Sequence, residues 1–416
     1  MLKNTIKSCL PIEVIALKRF IGDLRKNGLI KKRNKKSQIY KRVVFIMQFP
    51  ETWTSCKSVY DAFVKRGTEV YILCIPKFAM NHIEKLSEPI GDRENEAYKY
   101  FIQAGYHNCI RADQEDSTWY KLENIDPDIA IYTRPYNSHY PACYRTNQLR
   151  DCLTCYIPYG YSVLKGSVLN GMFNYDFIRN IDKCFVCNKS SLDYLKRYLV
   201  WYRVFGKLDL KYLGYPRFDL IKRRQDHNCI KTITWLPRWI AGKATEEQKG
   251  SHFLEYREQF MKYVERHPEI YFIIRPHPLM FSNFIDNGVM SVDEVAVFKN
   301  NCERISNITL DTSADYLPLL ENTDVLITDV TALMVEFFYA NVPIIYCDDT
   351  TNFSDEALQM TEAMYKAQDW DQIVTCIEEI VNNGDRFNKW REEYLHKGAN
   401  SNSKVGDAIV DSLLAY

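Results

Sequence analysis

The stretch from Tyr271 to Asp348 constrains the fold of this chain more than any other segment. Three short apolar runs alternate there with segments of helical periodicity; the runs are Tyr271–Ile274, Val325–Thr328 and Pro343–Tyr346. Strands that alternate with helices predict a parallel sheet with crossover helices. Ligands bind such sheets at the carboxyl ends of the strands, so the polar residues that follow these runs are the first candidates for a functional site.

Two polar clusters follow strands in this stretch. The sequence RPHP occupies 275–278 after the first run, and TDVTA occupies 328–332 at the end of the second. Two prolines restrict the backbone around His277. Arg275 and His277 can bond an anion, and the free N–H groups of a helix that starts near Thr331 can bind a phosphate. The alternative for Thr331 and Asp329 is a local role, as a helix cap and a turn acid.

The size and composition of the chain indicate a soluble protein of two domains. It has 416 residues, of which 46% are hydrophobic and 26% charged. We find no signal peptide, and no apolar run reaches the roughly 18 residues that a membrane span needs. The thirteen cysteines are scattered, which is typical of free thiols in the cytoplasm. Of two CxxC pairs, at 152–155 and 184–187, the second pair and the end of the first lie in strand patterns, where alternation separates the thiols, so we predict no metal site.

The charge is distributed unevenly along the chain. Residues 1–42 hold thirteen basic and two acidic residues, a net of +11, whereas the remainder carries a net of −10. Apolar residues recur at helical spacing over 11–30, and the run KKRNKK follows at 31–36. A basic amphipathic arm over 1–42 predicts contact with an anionic membrane surface. The alternative is a helix that packs on the body of the protein. No aromatic-interleaved basic motif supports nucleic-acid binding.

We expect a first doubly wound domain over 43–205, with strands at Val43–Met47, Glu69–Cys74, Ile129–Tyr132, Cys155–Ile157 and Cys184–Cys187. The segments RPYNSHYP at 134–141 and PYGY at 158–161 lie at strand ends of this domain, facing a cleft. A second domain would span 206–416, with its final helices returning towards the first. Its polar segments include GYPRFD at 214–219 and PRW at 237–239.

With these motifs the chain resembles the CDP-glycerol glycerophosphotransferases, the teichoic-acid polymerase and primase type. The likeness covers most of residues 43–410 and follows four motifs in order: GYPRFD, WLPRW at 235–239, RPHP, and TDVTALMVE at 328–336. The resemblance implies a GT-B fold of two Rossmann-like domains, with no metal and no cofactor. It also implies transfer of glycerol phosphate, or a related polyol phosphate, from a CDP-linked donor to a lipid-linked glycan or polymer. Such an enzyme would work at the inner face of the cell membrane.

The resemblance also implies a set of site residues. Donor binding falls to residues of the second domain: Arg217, Asp219, Pro237, Arg238, Arg275, His277, Asp329, Thr331, Ala332 and Glu336. On the acceptor side, the resemblance implies Arg134, Tyr136, Tyr159 and Gly160 as the site residues. Arg275 and His277 would stabilise the charge that develops as a hydroxyl attacks the β-phosphorus and expels CMP.

Two departures from the family pattern affect the chemistry. Tyr159-Gly160 stands where the family often has His-Gly, and that histidine is thought to be the base for the acceptor hydroxyl. His139, at another strand end of the first domain, is our first candidate for this base. Ala332 replaces the second of two family serines, so one hydroxyl is lost. Two other functions are compatible with the sequence: a GT-B glycosyltransferase that uses a nucleotide sugar, and an inactive membrane-associated scaffold.

Overall fold

The computed structural model describes residues 11–27, 42–77, 95–205, 208–224, 230–241, 250–313, 315–347, 352–398 and 404–415. The chain divides into two compact units, Met1–Asp219 with Ser403–Tyr416, and Leu220–Asn402. The first unit therefore extends to Asp219 rather than to the predicted boundary after Phe205. The KKRNKK run at 31–36 lies outside the described residues.

The N-terminal unit is built on a sheet of seven parallel strands in the order β3-β2-β1-β4-β5-β6-β7. The strands are β1 (Arg42–Met47), β2 (Glu69–Cys74), β3 (Cys109–Arg111), β4 (Ile129–Tyr132), β5 (Leu153–Tyr156), β6 (Lys183–Val186) and β7 (Asp209–Tyr212). Apolar side chains of the central strands alternate between two buried layers, one on each face. Cys152 and Cys184 lie in one layer and Cys155 in the other, as the strand pattern predicts.

The helices of this unit cover both faces of the sheet. They are α1 (Ile12–Asn27), α2 (Lys57–Lys65), α3 (Glu96–Gln103), α4 (Leu169–Met172), α5 (Tyr175–Ile178), α6 (Lys189–Tyr198) and α7 (Val200–Val204). The last helix of the chain, α16 (Val405–Leu414), also packs in this unit, against α2. Gly406 makes this close approach possible, because a Cβ atom at this position would lie 2.4 Å from the backbone oxygen of Ser58.

Helix α1 packs on α6 and α7. Ala16 and Phe20 are buried, and the rings of Phe20 and Tyr202 pack edge to face with 5.1 Å between their centroids. Glu13 pairs with Arg197 at 2.6 Å, and Asp23 pairs with Arg179 at 2.8 Å. The structure thus uses one face of the predicted amphipathic helix for packing inside the unit. Membrane contact by residues 1–42 stays a prediction.

The C-terminal unit has a sheet of six parallel strands in the order β10-β9-β8-β11-β12-β13. These are β8 (Thr232–Leu236), β9 (Tyr271–Ile274), β10 (Ile308–Leu310), β11 (Val325–Thr328), β12 (Ile344–Tyr346) and β13 (Tyr365–Lys366). Its helices are α8 (Phe253–Arg266), α9 (Met280–Asp286), α10 (Val292–Arg304), α11 (Leu317–Asn322), α12 (Leu333–Tyr339), α13 (Asp355–Thr361), α14 (Trp370–Asn383) and α15 (Asn388–Gly398).

The prediction of an α/β chain with two parallel sheets is confirmed. The sequence analysis does not predict four short strands, β3, β7, β10 and β13. Each lies at an edge of its sheet and has only two to four residues, too few for a clear strand pattern. No described helix combines the length and apolarity needed to cross a bilayer.

Candidate functional site

Three neighbouring strands of the C-terminal sheet, β9, β8 and β11, end at one edge and carry the predicted polar residues. Arg275 and His277 follow β9, Arg238 follows β8, and Asp329 and Thr331 follow β11. Because parallel strands place their carboxyl ends together, residues far apart in sequence meet at this edge. Pro237, also after β8, is buried.

Arg275 is held by its neighbours within the unit. Its Nη1 donates to Asp311 Oδ2 at 2.5 Å, and its Nη2 donates to the carbonyl oxygen of Ser313 at 2.8 Å. The guanidinium carbon lies 5.4 Å from the centre of the Tyr316 ring. Burial alone would raise the pKa of Asp311, but the hydrogen bonds donated by Ser313, together with the nearby Arg275 guanidinium, keep it below its ordinary value. Arg275 is thus fixed in place, with part of its donor capacity used internally.

His277 is arranged to donate from one ring nitrogen. The backbone N–H of Leu279 donates to its Nδ1 at 3.2 Å, and the ring stacks on Trp239 with 5.5 Å between centroids. His277 as a whole residue is exposed, but the protein packed around its ring desolvates the imidazole and lowers its pKa to about 4. The imidazole is therefore neutral at pH 7. Since Nδ1 accepts a hydrogen bond, Nε2 carries the proton and can donate it to a ligand oxygen.

Asp329 is buried and bonded to protein groups. Its Oδ2 accepts from the backbone N–H of Arg238 at 2.9 Å, and its Oδ1 lies 2.6 Å from Nδ1 of His252. Only 1% of its side chain is exposed. Asp329 therefore connects the loop after β8, which carries Arg238, to the start of α8. Sequence analysis missed His252, because no motif marks it and its partner lies 77 residues away in sequence.

The predicted helix start after β11 differs from the structure in detail. Helix α12 begins at Leu333, has seven residues, and has Ala332 as its N-cap, without a side-chain cap bond. The Thr331 hydroxyl lies 3.4 Å from the backbone nitrogen of Leu333. Glu336, which the resemblance assigns to donor binding, is fully buried and accepts a 2.7 Å hydrogen bond from the Tyr316 hydroxyl. Tyr316 in turn supports Arg275.

In the N-terminal unit, a second polar cluster lies at the carboxyl ends of β1, β4 and β5. The Arg134 guanidinium stacks on the Phe49 ring at 4.0 Å and donates to Gln48 Oε1 at 3.2 Å. The rings of Tyr136 and His139 lie 4.8 Å apart. Arg134, Tyr136 and His139, the residues predicted at the end of β4, therefore lie close together. Gln48 and Phe49, which sequence analysis did not select, support Arg134 directly.

The surroundings shift the pKa values of both His139 and Tyr136. Desolvation, followed by the Arg134 charge, lowers the pKa of His139 to about 4, so its ring is neutral at pH 7 and able to accept a proton. Desolvation, followed by the neighbouring Tyr159, raises the pKa of Tyr136 to about 12. Tyr159, in the position of the family histidine, therefore lies within the same cluster as Tyr136. The following Gly160 is buried.

The GYPRFD motif lies in the N-terminal unit. The buried Arg217 donates to the carbonyl oxygen of Tyr159 at 2.9 Å, and Asp219 accepts from the backbone N–H groups of Val405 and Gly406. The two residues hold the PYGY loop and the last helix of the same unit. Donor binding by Arg217 and Asp219 stays a prediction.

Within the described ranges, no group of three or more His, Cys, Asp or Glu side chains is arranged to hold an ion.

Comparisons with solved structures extend the description of the fold. The wall teichoic acid polymerase TagF, as a variant soaked with CDPG, is similar with a TM-score of 0.54 and 12% identity, over 97% of each chain. The UDP-GlcNAc 2-epimerase from Methanocaldococcus jannaschii, in complex with UDP-GlcNAc and UDP, has a TM-score of 0.51 and 11% identity, over 90% of this chain and 100% of that one. At such identities the likeness concerns the fold alone, and it confirms the GT-B-like architecture.

No curated protein matches the sequence significantly. The sequence profile of the CDP-Glycerol:Poly(glycerophosphate) glycerophosphotransferases matches residues 179–407. The match covers more than half of the chain and includes the GYPRFD, WLPRW, RPHP and TDVTALMVE motifs, together with β8, β9 and β11 and the polar residues at their ends. This chain therefore belongs to the CDP-glycerol:poly(glycerophosphate) glycerophosphotransferase family of transferases.

Proposed function

We propose that this protein transfers glycerol phosphate, or a related polyol phosphate, from a CDP-linked donor to a hydroxyl of a membrane- or lipid-linked glycan or polymer. The observation that carries the proposal is the pair formed by Arg275 and His277 at the end of β9. A guanidinium fixed by Asp311 and a neutral imidazole with a donor Nε2 suit the oxygens of a pyrophosphate. Family membership supports CDP-glycerol as the donor.

The reaction requires little covalent chemistry from the protein, which has to position the reacting groups and stabilise charge. The acceptor oxygen forms a bond to the β-phosphorus while the bond from that phosphorus to the bridging oxygen breaks, and CMP leaves with the electron pair. Arg275 and His277 stabilise the negative charge that develops on the leaving oxygens. Arg238, Thr331 and the backbone near Ala332 bind the remaining donor oxygens. Neither a metal ion nor a cofactor is part of this proposal.

The acceptor side of the reaction is assigned to the N-terminal cluster. His139, neutral at pH 7, takes the proton of the attacking hydroxyl, and Arg134, Tyr136 and Tyr159 orient the acceptor. The depressed pKa makes His139 a weaker base than an ordinary histidine. The loose transition state of phosphoryl transfer tolerates this, because little proton transfer is required before the bond to phosphorus forms.

The proposal includes a place for the enzyme in the cell. A lipid-linked acceptor requires access to the membrane, and we infer that residues 1–42 bring the protein to the inner face of the cell membrane. The net charge of +11 in this segment supports the inference.

Replacement of His277 by alanine tests the proposed site. We expect transfer from CDP-glycerol, measured as CMP release, to fall by about 10²–10³-fold with an unchanged melting temperature, because a stabilising donor is lost. His267→Ala, at the end of α8, is the matched control and should retain wild-type rates. Near-normal turnover of His277→Ala would rule out this role for RPHP.

A panel of donors tests the reaction class. Wild-type protein should release CMP from CDP-glycerol or CDP-ribitol, and the activity should survive EDTA. Release of UDP from a UDP-sugar would instead identify a glycosyltransferase. Absence of turnover with every donor, in protein that still binds the acceptor, would indicate a scaffold.

A further inference from the structure

A second imidazole lies at the edge of the C-terminal sheet that carries the proposed site. His252 directly precedes α8, and its Nδ1 lies 2.6 Å from Oδ1 of Asp329. The backbone nitrogen of His252 also approaches Oδ2 of the same carboxylate, at 3.4 Å. Because an ionised carboxylate only accepts hydrogen bonds, Nδ1 of His252 carries a proton in this pair.

The ring of His252 is fixed in its plane as well as at Nδ1. It stacks on Tyr256 with 5.3 Å between centroids and 8° between planes. Tyr256 is itself buried and donates its hydroxyl to the carbonyl oxygen of Gln368 at 3.1 Å. Of the His252 side chain, 14% is exposed, so the ring reaches the surface of the unit while its orientation is set from within. An imidazole held at Nδ1 presents Nε2 on its opposite side.

The same carboxylate positions two side chains that can bind an anion. Asp329 accepts from the backbone N–H of Arg238 as well as from His252. Arg275, by contrast, already donates hydrogen bonds from Nη1 and Nη2 to Asp311 and Ser313. A pyrophosphate has more acceptor oxygens than one partly committed guanidinium and one imidazole can satisfy, so further donors are needed at this edge.

We propose that His252 is a further donor-binding residue, which contacts the pyrophosphate of the nucleotide, and that Asp329 is its positioning residue. The identity of the nucleotide rests on the proposed function; the geometry of the pair does not. The competing explanation is that the pair only anchors the start of α8 to β11.

Two replacements of His252 separate these explanations. In His252→Asn the side-chain amide can still donate to Asp329, so the anchor is kept while the Nε2 end is lost. In His252→Gln the amide reaches about the position of Nε2. We expect His252→Asn to melt like the wild type but to bind CDP about ten- to a hundredfold more weakly, since a hydrogen bond to a charged group is lost. His252→Gln should recover part of this affinity.

The choice of ligand isolates the pyrophosphate. Calorimetry with CDP, and competition by cytidine, should show that His252→Asn weakens the binding of CDP but not that of cytidine, because cytidine lacks the phosphates. In turnover, the KM for CDP-glycerol should rise. Asp329→Asn alone should weaken CDP binding. Combined with His252→Asn it should cause little further loss of affinity, since a positioning residue acts through its partner.

Two results would overturn the assignment. One is a folded His252→Asn variant that binds CDP as well as the wild type does. The other is an equal loss of affinity for CDP and for cytidine, which would place His252 beside the nucleoside. If wild-type protein binds UDP rather than CDP, the proposed donor is wrong, and the same variants assayed with UDP and uridine decide the role of His252. Failure of the wild type to bind either nucleotide would reject both proposals.

Discussion

The carboxylate of Asp219 accepts a 2.8 Å hydrogen bond from the backbone N–H of Gly406, at the start of the last helix of the chain. A second bond of 2.9 Å comes from the N–H of Val405. The first turn of a helix has N–H groups without partners inside the helix, and a carboxylate there also interacts favourably with the helix dipole. The aspartate of the GYPRFD motif therefore joins the returning C-terminal segment to the N-terminal unit.

We predict that Asp219→Ala destabilises the protein by about 0.5–2 kcal/mol, the usual cost of removing a helix cap. Asp219→Asn should cost less, because an amide oxygen can still accept one of the two bonds. Urea unfolding of both variants provides the measurement, with Asp286→Ala, an exposed acid at the end of α9, as the control. A rise in the KM for CDP-glycerol without loss of stability would instead support the donor-binding role predicted from the sequence.

Gly406 gives an independent test of the same contact. A Cβ atom at this position would lie 2.4 Å from the oxygen of Ser58, so Gly406→Ala must push α16 away from α2. Overpacking of this kind typically costs about 1–3 kcal/mol. Gly22→Ala in α1 is the matched control, because nothing lies within 4 Å of its added Cβ atom, and alanine favours a helix by about 0.5–1 kcal/mol. Equal stability of the two variants would show that the α2–α16 contact has been misjudged.

The sequence was sufficient to predict the two parallel sheets, because their central strands are short apolar runs between helices. The predicted bounds of β2, β4, β9 and β11 agree with the structure residue for residue. Strand β7 was missed because Asp209–Tyr212 is only four residues long and none of its residues is fully buried. Its place in the sheet depends on pairing with β6, which is a tertiary contact that the local pattern does not reveal.

The candidate site could be predicted only in part. Arg275, His277 and Arg238 were identified because motifs mark the ends of their strands. What each side chain contacts was not predictable: Glu336 bonds to Tyr316, and Asp329 to His252. Such partners are distant in sequence, and a carboxylate selected as a ligand contact is equally able to serve as an internal acceptor.

His139 gives the protein a specific dependence on pH. Its folded pKa of about 4 lies below its ordinary value of 6.5, so the unfolded chain binds a proton first as the pH falls. The neutral ring thus contributes stability above about pH 6.5 that is progressively lost towards pH 4. We predict that wild-type protein loses more thermal stability between pH 7.5 and pH 5 than His139→Gln does. His107→Gln, at an exposed histidine, should behave like the wild type. An equal loss in wild type and His139→Gln would contradict this environment for His139.

The packing of α1 changes how the membrane prediction has to be tested. Ala16 and Phe20 are buried against the N-terminal unit, so deletion of residues 1–42 would expose apolar surface and could itself cause aggregation. Val14 and Ile21 stay 38% and 40% exposed on the same helix. Basic residues therefore give a cleaner test than truncation, because they can be neutralised without removing the helix.

We predict that replacing the five basic residues of 31–36 by glutamine releases the protein from vesicles that contain phosphatidylglycerol. Each base near an anionic surface contributes about 1 kcal/mol, and the attraction decays over a Debye length of about 8 Å at physiological salt. Wild-type protein should sediment with the vesicles and dissociate as salt is raised. The control neutralises five exposed lysines elsewhere and should still sediment; these are Lys189, Lys262, Lys299, Lys366 and Lys389. If both variants sediment like the wild type, the basic run is not the membrane contact, and the packing of α1 accounts for the amphipathic pattern.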